Sequence, residues 1–407
     1  MTNLNVDSPL TLTNGQNIKN RLFKAAMSEA LASKDHNPNE YHQVLYRKWA
    51  EGGSGIVVTG NVMVDRNALG EPGNVVLDSK SNRNNFISWS NAGTVNNTNL
   101  WMQLNHPGRQ SPKSVSAQPV APSAVPFDSN LKQFFNPPRE LTKREIDRLI
   151  EKFGEAAQLA KETGFSGVQI HGAHGYLVSQ FLSPITNRRT DEFGGDLTGR
   201  MLFLKKIYLE MRRKAGETFP IGLKLNISDF TEGGFNEKES LTVMKKMSDL
   251  GIDLIEISGG NYDNPKMFKA SSDEEVFFID YVKEIRHRLD TLIVITGGFR
   301  KLSTMEKALN SHYTDMIGLA RPLALKPELS NALVSRQTKT IELPRLTTGL
   351  PAIDDKIGGL IGISYYEQQM ARIAEGKEPE IYRNAWKPIV KTLRVHGLRA
   401  LTPRRSK

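Results

Sequence analysis

Eight short apolar runs, alternating with segments of helical periodicity, constrain the fold of this chain more than any other feature. Arg21–Met27, Gly55–Asn61, Asn99–Leu104, Gly167–His171, Ile221–Asn226, Asp253–Ser258, Leu292–Thr296 and Asp315–Leu319 are brief and largely apolar without clean alternation, the pattern of strands buried on both faces. Between them, Asn39–Glu51, Ser79–Thr98, Thr142–Thr163, Gly199–Ala215, Asn236–Leu250, Asp273–Arg288 and Ser303–Leu309 carry apolar residues three or four apart. Thr142-Lys-Arg-Glu145 has the form of a capping box, and Gly164, Gly216 and Gly251 stand where helices should stop. Eight strands alternating with helices predict an α/β fold, a (β/α)8 TIM barrel. A doubly wound sheet would usually carry G-x-G-x-x-G after its first strand, and that string is absent.

Three segments fall outside the repeat. Thr13-Asn-Gly15 reads as a hairpin turn that could floor the barrel. Residues 107–139, rich in Pro, Ser and Gln, follow the third strand and are placed over the mouth as a lid or specificity loop. Residues 331–407 form an extension to a barrel of residues 1–330, with helix-like stretches at Ser364–Glu375 and Trp386–Arg394. It could wrap the barrel or reach a neighbouring subunit in a homo-oligomer.

The chain has no cysteine, which excludes disulfides, zinc–thiolate sites, cysteine-ligated iron–sulfur clusters and a cysteine nucleophile. Met1–Gln16 lacks the pattern of a signal peptide, and no run reaches the ~18 apolar residues of a membrane span. A soluble, cytoplasmic protein is the expectation. The formal net charge is +10, and Lys387, Lys391, Arg394, Arg399, Arg404, Arg405 and Lys407 lie in a terminal stretch without acidic residues. Without a nucleic-acid-binding signature, this reads as a solvated tail.

On a barrel, polar residues at strand C-termini point into the active-site mouth. Those ends carry Ala25-Ala26-Met27-Ser28, Gly60-Asn61, Gln103, His171-Gly-Ala-His174-Gly-Tyr176, Lys224, Ser258, Thr296-Gly297-Gly298 and Gly318-Leu-Ala320-Arg321. Glycines after the seventh strand, with Ala320 and Arg321 after the eighth, match the phosphate site of barrels: bare N–H groups approach the anion and Arg321 pairs with it. The alternative is glycine turns with Arg321 in a surface ion pair. His171 and His174 could polarise a substrate oxygen while Tyr176 supplies a proton, or form half of a metal site. A metal-dependent hydrolase needs further ligands, whereas the other ends offer Ser28, Gly60, Gln103 and Lys224. Tyr176 could also simply pack against the lid. A cation at Lys224 needs negative charge, which a reduced flavin develops at its N1/C2-carbonyl edge, and Gln103 has the donor and acceptor that the pyrimidine edge requires. Together these residues describe a barrel for FMN.

The string from His171 to Gly195, His-Gly-Ala-His-Gly-Tyr-Leu running into Gln180-Phe-Leu-Ser-Pro-Ile-Thr-Asn187 and Asp191-Glu-Phe-Gly-Gly195, closely resembles the signature of the old yellow enzyme family. Asn20-Arg21, Gln103-Leu-Asn-His-Pro-Gly-Arg109, Thr296-Gly-Gly-Phe299 and Gly318-Leu-Ala-Arg-Pro322 resemble it too, over roughly residues 5–330. The resemblance implies non-covalent FMN, with Ala25, Ala26, Met27, Ser28, Gly60, Gln103 and Lys224 against the isoalloxazine and ribityl, and Gly297, Gly298, Ala320 and Arg321 around the phosphate. His171 and His174 would grip the substrate oxygen and Tyr176 would be the proton donor. NADH or NADPH would reduce the flavin, which then passes hydride to an activated C=C bond of a small-molecule α,β-unsaturated carbonyl compound. The alternative within the family is an NAD(P)H oxidase or flavin reductase with oxygen or quinone as acceptor. The chain departs from the family pattern at Ala26, usually proline, at Ser28, often Thr or Cys, and at Lys224, commonly arginine.

Overall fold

The apolar runs become eight parallel strands, and hydrogen-bonded pairing around the ring leaves no open edge. The structure, a computed structural model, describes residues 3–127, 130–262, 276 and 278–390. The strands are β1 (Leu22–Lys24), β2 (Ile56–Met63), β3 (Asn99–Asn105), β4 (Gly167–Gly172), β5 (Ile221–Asn226), β6 (Leu254–Ser258), β7 (Leu292–Thr296) and β8 (Met316–Leu319). Each pairs in parallel with its sequence neighbours, and β8 pairs with β1 to close the barrel.

Alternate residues of each strand point inward, and the interior is filled in layers. The lowest layer is apolar: Phe23, Ile56, Val58, Trp101, Leu254, Val294 and Met316 form one buried cluster. Trp101 fills the centre because Gly167 and Gly222 leave room for it; a Cβ at Gly222 would lie 2.8 Å from its ring. Leu12 and Ile18 close this cluster from below. Ile18 belongs to the two-stranded hairpin Leu10–Thr11/Asn17–Ile18 and Leu12 follows its first strand; the turn uses Gly15 at φ +89°. Thr13 Oγ1 and Asn14 Nδ2 donate to Asp253 Oδ1, so the hairpin does floor the barrel.

The crossover helices are α1 (Glu40–Glu51), α2 (Arg83–Gly93), α3 (Lys143–Glu162), α4 (Leu202–Ala215), α5 (Glu237–Asp249), α6 (Ile279–Ile285) and α7 (Leu302–Asn310). The capping box at Thr142 and Glu145 is present. Helix α2 is shorter than its periodicity suggests. Asn82 caps it by accepting from Asn84 N, and Asn96 and Asn97, both with positive φ, occupy the loop beyond it. The segment expected to run from Gly199 is interrupted at Met201, so α4 starts at Leu202. The first residues expected in α6, 273–275, lie outside the described residues.

Beyond β8, α8 (Arg321–Leu325) leads into the extension, where α9 runs from Pro351 to Ala374. It begins well before Ser364, where the sequence pattern places the start, since Gly358, Gly359 and Gly362 weaken the local helix signal over its first half. Helix α9 packs on α1 and α8. The stretch expected at Trp386–Arg394 is helical from Trp386 to Val390; residues 391–407, with most of the basic tail, lie outside the described residues. Among the described residues no helix is long and apolar enough to cross a membrane.

Candidate active site

Above the apolar floor the interior turns polar on one side. Gln103 on β3, Gln169 on β4, Lys224 on β5, Glu256 on β6 and Thr296 on β7 share a layer, because register brings Gln103 opposite Gln169 and Lys224 opposite Glu256. Their side chains are hydrogen-bonded: Gln103 Nε2 donates to Gln169 Oε1 (2.6 Å) and Gln169 Nε2 to Glu256 Oε2 (2.9 Å). Lys224 Nζ (2.9 Å) and Thr296 Oγ1 (2.8 Å) both donate to Glu256 Oε1. The opposite wall is small: Ala25 is buried, and a Cβ at Gly318 would collide with Thr296 Oγ1. Lys224 thus has a protein counter-ion, Glu256, which the strand-end reading did not include because it took only Ser258 from that strand.

The next layer up is the end of the barrel. His171 Nδ1 accepts from Ala173 N (3.3 Å), which leaves the ring proton of a neutral imidazole on Nε2. His174 sits in the left-handed region at φ +60°. Asn226 Oδ1 accepts from its N–H, Gln110 Nε2 donates to its carbonyl, and its Nε2 lies 2.7 Å from Ser258 Oγ. The two rings meet edge-on with centroids 5.0 Å apart. Tyr176 is 4.7 Å from His171, ring to ring, and its hydroxyl is 3.0 Å from that of Tyr262. Phe127, Leu131 and Phe135 of the long loop pack with Tyr176 and Tyr262 as a small aromatic cluster beside the histidines. Arg109 lies over Phe127 at 4.2 Å, and Asp229, whose carboxyl burial pushes up, faces Arg109. Tyr176 therefore meets the lid and a second hydroxyl together. Tyr262, Phe127 and Phe135 carry no motif, so sequence reasoning passed over them.

The chain after β1 turns across the rim. Ala26 and Met27 are half-buried, and the Ser28 hydroxyl donates to Glu71. Gly60 packs so closely that a Cβ would strike Met27 O and Glu29; its N–H donates to Glu29 Oε1 and its carbonyl accepts from Thr59 Oγ1. Behind this wall Lys24 is fully buried over the Trp49 ring at 4.0 Å and donates to Val58 O. Burial lowers its pKa to about 8 against the opposing pull of Glu29, and burial raises the Glu29 carboxyl.

At the ends of β7 and β8, Gly297 and Gly298 both have positive φ, and no atom lies within 4 Å of where a Cβ on Gly297 would stand. Ala320 and Arg321 are half-buried beside this opening. Tyr366 of α9 lies within electrostatic reach of Arg321 and Arg300, so the extension approaches this corner. Among the described residues no group of His, Asp or Glu has the arrangement of a metal site.

The sequence model of the NADH:flavin oxidoreductase / NADH oxidase family matches residues 6–339, and the chain belongs to that family of FMN-dependent oxidoreductases. It is 37% identical over 361 residues to the NADH-dependent flavin oxidoreductase iccE of Talaromyces variabilis, covering 82% of this chain and 87% of that protein. It is 34% identical over 385 residues to the NADH-dependent flavin oxidoreductase iliE of a Neonectria species, covering 87% of this chain but 49% of the relative. The chain thus spans about half the length of the Neonectria protein. The old yellow enzyme homologue of Zymomonas mobilis superposes with a TM-score of 0.71 at 26% identity, over 83% of this chain and 95% of that one. The barrel is that of the old yellow enzyme homologues.

The residues present fit FMN. A layer of amide and ammonium donors stands opposite a wall of small residues, and Asn61, in register with Gln103, has a buried carbonyl oxygen without a partner. An open two-glycine turn flanked by Arg321 suits a dianionic phosphate.

Proposed function

We propose that this chain is an ene-reductase: an NAD(P)H-dependent flavin oxidoreductase whose acceptor is the C=C bond of small α,β-unsaturated carbonyl compounds. The observation that carries this reading is the pair His171 and His174 at the end of β4, with a hydroxyl-bearing ring beside them. His171 offers a proton from Nε2, because Ala173 N–H occupies the other nitrogen. His174 is held by Asn226, Gln110 and Ser258 at the place where a second donor to the same oxygen belongs. Two fixed N–H donors on a carbonyl oxygen draw electron density from the conjugated double bond and lower the barrier to hydride addition at its far carbon.

FMN, when bound, takes hydride from NAD(P)H and delivers it to the acceptor. In this reading Gly297, Gly298, Ala320 and Arg321 hold its phosphate, Gln103 and Lys224 face its pyrimidine edge, and Ala25, Ala26, Met27, Ser28 and Gly60 line the ring and ribityl. Tyr176 holds the proton for the carbon next to the carbonyl. Phe127, Leu131 and Phe135, packed with Tyr176 and Tyr262, keep water from the reacting carbons.

The test uses the FMN-loaded protein with both histidines replaced, His171→Ala and His174→Ala. Phenols, whose oxygen takes the place of the substrate oxygen, should bind at least about 100-fold more weakly, as the loss of two hydrogen bonds to a charged oxygen requires. The flavin should remain bound. Normal phenol binding by the double variant would place the oxygen site elsewhere. Wild-type enzyme that transfers electrons to dioxygen readily but to no enone would be an NADH oxidase instead.

A further inference from the structure

The middle layer of the barrel is organised around one carboxylate. Glu256 is fully buried and accepts side-chain hydrogen bonds from three strands: Lys224 and Thr296 on Oε1, Gln169 on Oε2. The bonds continue from Gln169 to Gln103. An ionised carboxylate only accepts. The atom of Gln169 that faces it must therefore be the NH2, which turns the amide oxygen of Gln169 toward Gln103. The atom of Gln103 facing that oxygen must in turn be its NH2. One negative charge fixes the orientation of two amides in series, whereas an amide or hydroxyl at position 256 would allow both to flip.

The same carboxylate stands 2.9 Å from the Lys224 ammonium, with both side chains almost fully buried. In a weakly screening interior this pair presents much less positive charge to its surroundings than Lys224 alone would.

We infer that Glu256 is a positioning residue for the redox ring: it dictates which atoms of Gln103 meet the flavin's pyrimidine edge and offsets the charge that Lys224 presents there. The inference rests on Gln103 and Lys224 facing the flavin, as proposed above. A reduced flavin gathers negative charge at its N1/C2-carbonyl edge, and a paired lysine stabilises that charge less than an unpaired one. The barrel therefore holds its flavin at a lower reduction potential than Lys224 by itself would set.

Five variants of the FMN-loaded protein test this, read by redox titration, by sulfite binding and by FMN dissociation. Sulfite adds to N5 and leaves its negative charge at the same edge. Glu256→Gln should shift the reduction equilibrium at least about tenfold toward the reduced form, about 30 mV for a two-electron couple, and tighten sulfite binding by a similar factor. The double variant Glu256→Gln/Lys224→Gln removes both charges and avoids a lone buried cation, so it keeps the test available if the single variant does not fold. It should bind sulfite within about threefold of wild type, while Lys224→Gln alone should weaken sulfite at least about tenfold. Gln169→Leu cuts the link to Gln103 and leaves the ion pair, so FMN should bind at least about tenfold more weakly, with little change in potential. A double variant as defective toward sulfite as Lys224→Gln would overturn the charge role, and unchanged FMN affinity in Gln169→Leu would overturn the relay. Gln103→Leu separates the two levels of the argument. If it weakens FMN while the Glu256 and Gln169 variants change nothing, only the role of Glu256 falls; if it too changes nothing, the flavin does not meet this layer and the assignment of the site falls with it.

Discussion

Replacing Tyr176 by Phe isolates the proton-donating step. The ring is buried among Phe127, Leu131, Phe135 and Tyr262, and Phe keeps the same packing, so the fold should lose no more than about 1 kcal/mol, the worth of one hydroxyl hydrogen bond. A positioned general acid contributes roughly 10²–10⁴ in rate. Tyr262 decides where in that range the loss falls: its hydroxyl is 3.0 Å from that of Tyr176 and can donate across the vacated space, directly or through one water. The single variant should therefore lose about 10², or about 2.7 kcal/mol of barrier, and Tyr176→Phe/Tyr262→Phe should lose about 10³–10⁴. The assay is anaerobic stopped flow on each half-reaction, with a cyclic enone and a nitroalkene as acceptors. Reduction by NADH should change by less than about twofold, since no proton reaches a carbon in that step. Nitroalkene reduction should be largely spared, because its anionic product needs no immediate proton. Equal slowing of both half-reactions would mean that Tyr176 only shapes the pocket. A double variant no slower than the single one would exclude Tyr262 as the substitute donor.

The floor of the barrel and its buried imidazoles give two further expectations. Gly222→Ala places a Cβ 2.8 Å from the Trp101 ring in a filled layer, so urea denaturation should show a loss of about 1–3 kcal/mol, partly recovered by Trp101→Leu; an unchanged midpoint would show that the tryptophan can move aside. Burial holds His42 at about 3 and His106 at about 4, against ~6.5 in the unfolded chain. As pH falls below ~6.5 the unfolded chain takes up protons that the folded one refuses, so stability is lost on acidification down to those values. His42→Phe, which keeps the edge contact with Trp89, should reduce the slope of stability against pH between about 6 and 4 by close to one proton; an unchanged slope would show that His42 protonates in the folded state.

Much of this protein is written in local sequence. Eight apolar runs with helical segments between them specify a closed parallel barrel, because strands buried on both faces must be apolar and a parallel crossover needs a helix. The positions of His171, His174, Gly297 and Gly298 at the mouth follow from the same repeat, since the barrel sends every strand end to one rim. Thr142 and Glu145 announce a helix start within four residues of sequence, and the structure keeps it. What local sequence could not reveal is which side chains meet across the barrel. Glu256 lies 87 residues from Gln169 and 32 from Lys224, and only parallel register brings the three together. Read along its own strand, Glu256 is a lone acid among aliphatic neighbours, with nothing to mark it as the acceptor of three donors. Tyr262 meets Tyr176, 86 residues away, for the same reason. Of the helix at Pro351–Ala374 only the part from Ser364 is legible in the sequence; the first half escaped because its glycines weaken the local signal, while packing against α1 and α8 supplies what propensity does not. Periodicity decides which elements form and which ends they share, because it depends only on neighbours a few residues apart. Hydrogen bonds and ion pairs inside the barrel depend on closure, and closure brings together residues that the sequence keeps far apart.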